Sequence, residues 1–146
     1  MPENEKFYTF KGYSLLDDSA ITASMEDYLE MIYRIHSNKE VVRVGVLANN
    51  LNIKPSSATK MMVNLKNQGL ISTEKYGCIK MTQAGKELGE YLIFRHNILN
   101  NFLCYINQSD NELEQVEKIE HFINKNTIFN IEKLLEKLVE LEINKI

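Results

Sequence analysis

The stretch that decides the fold is KPSSATKMMVNLKNQGLISTEKYGCIKMTQAGK, residues 54–86. Its first half predicts a helix that begins at Pro55 and ends near Asn67, because proline is favoured at the first helical position and Gln68-Gly69 can stop a helix. A shorter apolar helix is predicted just before it, over residues 42–51. Two short helices joined by a tight turn are typical of a helix-turn-helix motif.

The second half of the stretch predicts a hairpin. Residues 70–74 and 78–82 have strand character and flank Lys75-Tyr76-Gly77, which places a glycine in the turn. A hairpin that directly follows the second helix of a helix-turn-helix is a wing. We therefore predict a winged helix-turn-helix.

Outside this stretch the periodicity is helical. A helix is expected from Ser24, with Ser24 as its cap, to about residue 37; others are expected over 83–106, 111–124 with Asp110 as cap, and 127–143. The chain is thus predicted to be mainly α. We expect an N-terminal arm over 1–22, the winged helix-turn-helix over 23–86 and an all-helical domain over 87–146.

Composition is that of an ordinary globular protein. The chain has 146 residues, of which 44% are hydrophobic and 25% charged. It has no apolar run near the ~20 residues of a membrane helix, and no segment that resembles a signal peptide. Cys78 and Cys104 form neither a disulfide framework nor a CxxC site. We expect a cytoplasmic protein with no membrane partner.

Charge is unevenly distributed along the chain. Residues 37–86 carry 8 basic and 2 acidic residues, whereas residues 1–36 carry 3 and 7, and residues 87–146 carry 6 and 11. A basic segment between acidic flanks can attract phosphate. Solvated helix faces are the alternative explanation for these charges.

The basic segment is interpreted as a binding site for double-stranded DNA. In a winged helix the start of the second motif helix meets the major groove, and the wing meets the backbone or the minor groove. Hydroxyl, amide and lysine side chains suit phosphates and base edges. The candidates are Pro55, Ser56, Ser57, Thr59, Lys60 and Asn64 on the helix, with Lys75 and Tyr76 at the wing tip. A winged helix that binds another protein instead of DNA remains the alternative.

A second group of residues has the chemistry of a metal site. The candidate ligands are Asp27, Glu30, His96, Glu117, Glu120 and His121. Four carboxylates and two imidazoles without a thiolate suit Mn(II) or Fe(II), and six side chains exceed what one ion needs. Each residue also has an ordinary explanation. Asp27 could complete a capping box with Ser24, Glu30 could pair with Arg34, and the remaining residues could form a solvated surface.

The chain resembles the diphtheria-toxin-repressor family of metal-dependent transcriptional regulators, above all its short manganese-transport-regulator branch. The matching stretches are SMEDYLEMIY (24–33), KPSSATKMMVNL (54–65), EKYGCIKMTQAGK (74–86), FRHNILNNFL (94–103) and VEKIEHF (116–122). Asp27 and Glu117 stand where the manganese branch has Asp and Glu and the iron-responsive branch has Met and Cys. Residues 1–22 have no matching counterpart, and Phe122 stands where a second His is expected.

The resemblance implies a binuclear site with about two Mn(II) per chain, although Fe(II) is possible. Glu30, Glu117 and Glu120 would bridge, one ion would contact Asp27 and His96, and the other His121. The implied function is a homodimeric repressor of metal-uptake genes that binds a palindromic operator when metal fixes the two recognition helices. It implies no enzymatic activity and no small-molecule substrate. An iron-responsive or metal-independent winged-helix regulator, and a two-metal hydrolase, remain alternatives.

Overall fold

The structure, a computed structural model, describes residues 7–16 and 20–145. Its helices are α1 (Phe10–Leu16), α2 (Ala23–Ser37), α3 (Val44–Asn50), α4 (Pro55–Asn67), α5 (Gln83–Asn107), α6 (Leu113–Ile119) and α7 (Lys125–Ile143). Its strands are β1 (Ile71–Thr73) and β2 (Ile79–Met81), and 3₁₀ turns occupy Lys75–Gly77 and Glu120–Phe122. The predicted mainly α class is confirmed. Within the described ranges, every helix is too short or too polar to cross a membrane.

The predicted wing follows α4. Strands β1 and β2 pair antiparallel with Ile71 opposite Met81. Gly77 has φ of +71° and Tyr76 has φ of +66°, so the turn depends on two left-handed residues, one of which is a glycine. The Ile79 N–H donates to the Val42 carbonyl at 2.8 Å, which ties β2 to the segment before α3. The winged helix-turn-helix is therefore confirmed.

Two apolar clusters hold the described chain together, and α5 contributes to both. In the first, Leu29 of α2, Leu47 of α3 and Leu65 of α4 are completely buried. Leu92 from the first half of α5 closes that cluster. The second cluster joins the other half of α5 to α6 and α7, and its buried members are Leu99, Leu103, Val116 and Ile128. Helix α5 thus connects the winged motif to the C-terminal helices.

The wing is bound to the start of α5 by close backbone packing. The Thr82 hydroxyl donates to the Gly69 carbonyl at 2.6 Å and accepts from the Gly85 N–H at 3.0 Å. Gly85 itself lies against the Leu70 backbone, and a Cβ at this position would lie only 2.0 Å from the Leu70 oxygen. The approach of helix and wing therefore requires a glycine here.

Two sequence predictions about helix starts are wrong. Helix α2 is capped by Thr22, whose hydroxyl accepts from the Met25 N–H at 3.2 Å, and not by Ser24, which lies inside the helix. Asp110, predicted to cap the next helix, caps no helix in the described part of the chain. The chain instead turns at Asn111, whose side chain accepts from the Leu113 N–H at 2.9 Å, so that α6 begins at Leu113.

The first helix of the motif is also shorter than expected. It covers Val44–Asn50, because Val42 uses its carbonyl to pair with the wing. Within α3, Val46 is 40% exposed, whereas Leu47 is fully buried. The predicted arm over 1–22 lies partly outside the described residues. Its described part includes α1, where the ring of Phe10 packs edge-on against Phe122 with centroids 4.8 Å apart.

Candidate metal centre and DNA-binding surface

Four elements converge on one acidic site. Helix α2 carries Asp27 and Glu30 one turn apart, and α5 carries His96. The end of α6 and the following 3₁₀ turn supply Glu117, Glu120 and His121. The structure brings all six predicted ligands together in two groups that share Glu120. The first group is Glu30, His96, Glu117 and Glu120, and the second is Asp27, Glu120 and His121.

The first group surrounds the His96 ring. Its Nδ1 atom lies 3.1 Å from Glu120 Oε2, 3.5 Å from Glu117 Oε1 and 3.9 Å from Glu30 Oε1. Glu30, His96 and Glu120 are buried, and Glu117 is exposed. A cavity of about 500 Å³ opens beside them, so the group is accessible from solvent.

The second group surrounds the other face of Glu120. His121 Nε2 lies 2.9 Å from Asp27 Oδ1 and 3.8 Å from Glu120 Oε1. Asp27 is therefore grouped with His121, whereas the resemblance implied that it shares an ion with His96. The Glu120 side chain is 0% exposed and offers one oxygen to each group.

The donor set fits a hard divalent cation. Glu120 Oε1 is a buried carboxylate oxygen that no described group satisfies with a hydrogen bond, and Asp27 Oδ1 is buried against His121 Nε2 at 2.9 Å. Such oxygens are costly to bury unless a cation or donor reaches them. With oxygen and imidazole ligands and no thiolate, the residues suit Mn(II) or Fe(II).

The directions of the pKa shifts indicate that the site favours bound protons and therefore positive charge. Burial raises the pKa of Glu30, and partial desolvation raises the pKa of the more exposed Glu117; repulsion from Glu120 adds to both shifts. The hydrogen bond to Glu120 raises the pKa of His96. Hydrogen bonds to Asp27 and Glu26 raise the pKa of His121 to about 10. The chain alone therefore holds protons at this site that a cation would replace.

These shifts predict that chelator-treated protein loses stability as the pH rises. The pKa of His121 is about 10 in the folded chain against an ordinary 6.5. Its stabilising contribution is therefore complete below pH 6.5 and is lost as the pH rises towards 10. The measurement is the thermal unfolding temperature at about pH 6 and at about pH 9. Between these two pH values, the unfolding temperature should fall further in the wild type than in His121→Asn. Equal decreases in both proteins would contradict the protonated state of His121.

Sequence reasoning missed two residues at the edge of the site. Glu26 of α2 accepts from His121 Nδ1 at 2.9 Å, and Arg95 of α5 forms an ion pair with Glu26 at 3.3 Å. Arg95 directly precedes His96, but the spacing of residues within α5 does not indicate which residue of α2 it contacts. The expected alternative partner of Glu30 is also present, since Arg34 contacts Glu30 at 2.9 Å. The capping role considered for Asp27 is not, because Thr22 caps α2.

The predicted DNA-binding residues lie on an open surface. All eight are exposed: Pro55, Ser56, Ser57, Thr59, Lys60, Asn64, Lys75 and Tyr76. The side chain of Ala58, in contrast, is completely buried, so α4 presents its polar side outward. Val63 was not predicted, although it is 54% exposed on α4 one turn after Lys60. Tyr76 at the wing tip is 91% exposed.

Comparison with known families identifies both halves of the chain. The family model described as the iron-dependent repressor N-terminal DNA-binding domain matches residues 20–79. The model described as the iron-dependent repressor metal-binding and dimerisation domain matches residues 82–141. The chain belongs to the iron-dependent repressor family. Membership confirms the predicted class, a metal-dependent DNA-binding transcriptional repressor.

Relatives within this family cover most of the chain. An HTH-type transcriptional regulator MntR from Oceanobacillus iheyensis is 41% identical over 115 residues, which cover 78% of this chain and 78% of the relative. The MntR of Bacillus subtilis is 37% identical over 125 residues, which cover 85% and 88%. The predicted resemblance to this group of regulators is thereby confirmed.

Solved structures share the fold. The manganese regulator SloR superposes with a TM-score of 0.69 at 22% identity over 77% of this chain. A manganese-dependent transcriptional repressor in complex with manganese gives a TM-score of 0.70 at 23% identity, also over 77% of this chain. The chain spans about half the length of these two structures, 53% and 52%.

Proposed function

We propose that this iron-dependent repressor family member is a manganese-responsive repressor of metal-uptake genes. It binds about two Mn(II) per chain and acts as a homodimer on a palindromic operator in the cytoplasm. The observation that carries the proposal is the convergence of four carboxylates and two imidazoles from four elements on one site around the buried Glu120. The relatives named as transcriptional regulators support the function, and the similar manganese-dependent repressor structure supports the metal.

The two ligand groups would hold the two ions. Glu30, His96, Glu117 and Glu120 would hold one, and Asp27, Glu120 and His121 the other. A bound divalent cation supplies the positive charge that compensates the four carboxylates. Glu120 would contact both ions because each of its oxygens faces a different group. Fe(II) could use the same ligands and is the alternative metal.

Helix α2 couples the site to the DNA-binding surface. It contributes Leu29 and Ile32 to the core under α3 and α4, and it presents Asp27 and Glu30 to the metal site. A cation held between α2 and the 3₁₀ turn that carries Glu120 would therefore fix the winged motif relative to the C-terminal helices. A cation that binds this arrangement best shifts the population toward it. We accordingly divide the chain into an arm over 1–22, a DNA-binding domain over 23–86 and a metal-binding and dimerisation domain over 87–146.

The exposed start of α4 would enter the major groove. Ser56, Ser57, Thr59, Lys60 and Asn64 would contact phosphates and base edges, with Pro55 starting the helix. Val63, which is 54% exposed on the same helix, would contact a thymine methyl group. Lys75 and Tyr76 would reach the neighbouring backbone or minor groove from the wing tip.

A second copy of the chain would cover the apolar side of α7. Leu134 is 45% exposed and Leu141 is 58% exposed in the single chain. A twofold dimer places two recognition helices about 34 Å apart, one turn of DNA, which matches a palindromic operator. Hydrolysis by the two-metal site is less favoured, because the His and Glu side chains that could act as bases are already used as ligands.

The proposal is tested by DNA binding with and without Mn(II). An operator is first selected from random-sequence duplexes, and fluorescence anisotropy then measures its affinity for chelator-treated protein. Mn(II) is expected to raise the affinity by roughly 5- to 150-fold, the usual range for coupled sites. Equal affinities with and without Mn(II) would overturn the proposal, and a larger response to Fe(II) would favour the alternative metal.

The same assay separates phosphate contacts from the metal response. Lys60→Ala should lower the slope of log affinity against log salt by about 1 while the Mn(II) response remains. Lys118→Ala is the matched control, because Lys118 is exposed on α6 and pairs with Glu114. An unchanged salt slope in Lys60→Ala would exclude Lys60 from the DNA interface.

A further inference from the structure

A buried arginine, a partly buried glutamate and a partly buried histidine connect three elements behind the second ligand group. The Arg95 side chain of α5 is 4% exposed and the Glu26 side chain of α2 is 16% exposed. Arg95 Nη1 and Nη2 approach the Glu26 carboxylate at 3.3 to 3.5 Å. Glu26 Oε1 lies 2.9 Å from Nδ1 of His121. Burial of this ion pair is costly unless each charge is paired, and here each is.

The contacts define which ring nitrogen faces the ligand group. A carboxylate only accepts, so His121 Nδ1 carries a proton and donates it to Glu26. The other nitrogen, Nε2, then points to Asp27 Oδ1 at 2.9 Å and to Glu120 Oε1 at 3.8 Å. Arg95 Nη2 lies 3.3 Å from the same Nδ1, but a guanidinium cannot donate to a nitrogen that is itself a donor. The hydrogen bonds of Arg95 are therefore directed to Glu26.

We infer that Glu26, held by Arg95, is a positioning residue that fixes the His121 ring with Nε2 toward the metal site. Glu26 is not itself in either ligand group, since its carboxylate is occupied by Arg95 and His121 Nδ1. A carboxylate on the outer nitrogen of a ligating histidine fixes its tautomer and orientation and increases its basicity. This inference rests on the proposed metal-binding function of His121.

The experiment compares Glu26→Gln with Glu26→Ala. Glutamine keeps an oxygen that accepts from Nδ1 but loses the charge that Arg95 pairs, whereas alanine loses both. Affinity for Mn(II) is measured by the electron paramagnetic resonance signal of free Mn(II). Glu26→Ala is expected to weaken binding by about 10- to 100-fold, and Glu26→Gln by less. Glu114→Gln is the matched control, because it removes one acidic charge from an exposed ion pair on α6 and should leave the affinity unchanged.

A second measurement needs no metal. The chain has three histidines, so ring-¹⁵N-labelled chelator-treated protein gives spectra that His→Asn variants can assign. A buried Nδ1 proton donated to Glu26 should exchange slowly and be visible for His121 in the wild type and in Glu26→Gln, and absent in Glu26→Ala. Arg95→Lys keeps the charge next to Glu26 and serves as a milder variant if Glu26→Ala fails to fold.

The outcomes are separable. Equal Mn(II) affinity in the wild type and in Glu26→Ala would overturn the positioning role. A His121 Nδ1 proton signal that is unchanged in Glu26→Ala would overturn it as well. If Glu26→Gln bound Mn(II) as weakly as Glu26→Ala, an oxygen that accepts from His121 Nδ1 would not be what sustains the affinity, and the inference would also be wrong. If the wild type took up no Mn(II), the proposed function would fail, and the His121 ring spectrum would still decide whether Glu26 orients the ring.

Discussion

Glu120→Gln is expected to abolish tight Mn(II) binding, because the Glu120 carboxylate belongs to both ligand groups. The side chain is completely buried, with Oε2 3.1 Å from His96 Nδ1 and Oε1 3.8 Å from His121 Nε2. Glutamine has nearly the same shape but only one oxygen and no charge. We expect the Mn(II) affinity to fall by more than the roughly 100-fold that loss of an outer hydrogen-bonding partner costs. The Mn(II)-dependent gain in operator affinity should disappear with it.

Titration of Mn(II) into chelator-treated protein, followed by electron paramagnetic resonance, measures both affinity and stoichiometry. The wild type should take up about two ions per chain, which is the number expected from the two groups. Glu114→Gln on the exposed side of α6 is the control for a change of one charge. Thermal unfolding in chelator should remain cooperative in all three proteins. Two ions bound by Glu120→Gln with wild-type affinity would refute the shared-ligand assignment.

Gly85→Ala should produce the largest loss of folding stability among glycine substitutions on the winged side of the chain. A Cβ here would lie 2.0 Å from the Leu70 oxygen and 2.9 Å from the Leu70 carbon, both of which are backbone atoms that cannot rotate away. The start of α5 would have to move off the wing. Overpacking of this kind usually costs 1–3 kcal/mol, and we expect about 3 kcal/mol or more for a backbone clash.

Gly45→Ala is the matched control for Gly85→Ala. Gly45 lies in α3 with no atom within 4 Å of an added Cβ, so alanine should stabilise the chain by up to about 1 kcal/mol through its higher helix propensity. Denaturant unfolding of the two variants measures both changes. A stability of Gly85→Ala equal to that of the wild type would show that α5 does not rest on the Leu70 backbone.

Local features of the fold were predictable because they depend on neighbouring residues. Pro55 starts α4 and Asn67 ends it, as the sequence indicated. Gly77 occupies the wing turn with the positive φ that glycine adopts without strain. Helix starts were less predictable, since several polar residues near a start can cap it, and Thr22 rather than Ser24 has the geometry to do so in α2.

The amino-acid sequence by itself determined which side chains share a helix face. Asp27 lies with Glu30, and Glu117 lies with Glu120, because helical spacing fixes such pairs without reference to the rest of the chain. Residue chemistry likewise determined that a site built from them would prefer a hard cation.

The tertiary structure alone decided how these faces meet. It grouped Asp27 with His121 and turned one oxygen of Glu120 toward each ligand group. It also brought Glu26 into contact with Arg95 and His121. The two contacts of Glu26 join it to residues 69 and 95 positions away in the chain. Their geometry follows from how α2, α5 and the 3₁₀ turn pack around the two apolar clusters. Periodicity within one helix contains no information about that packing.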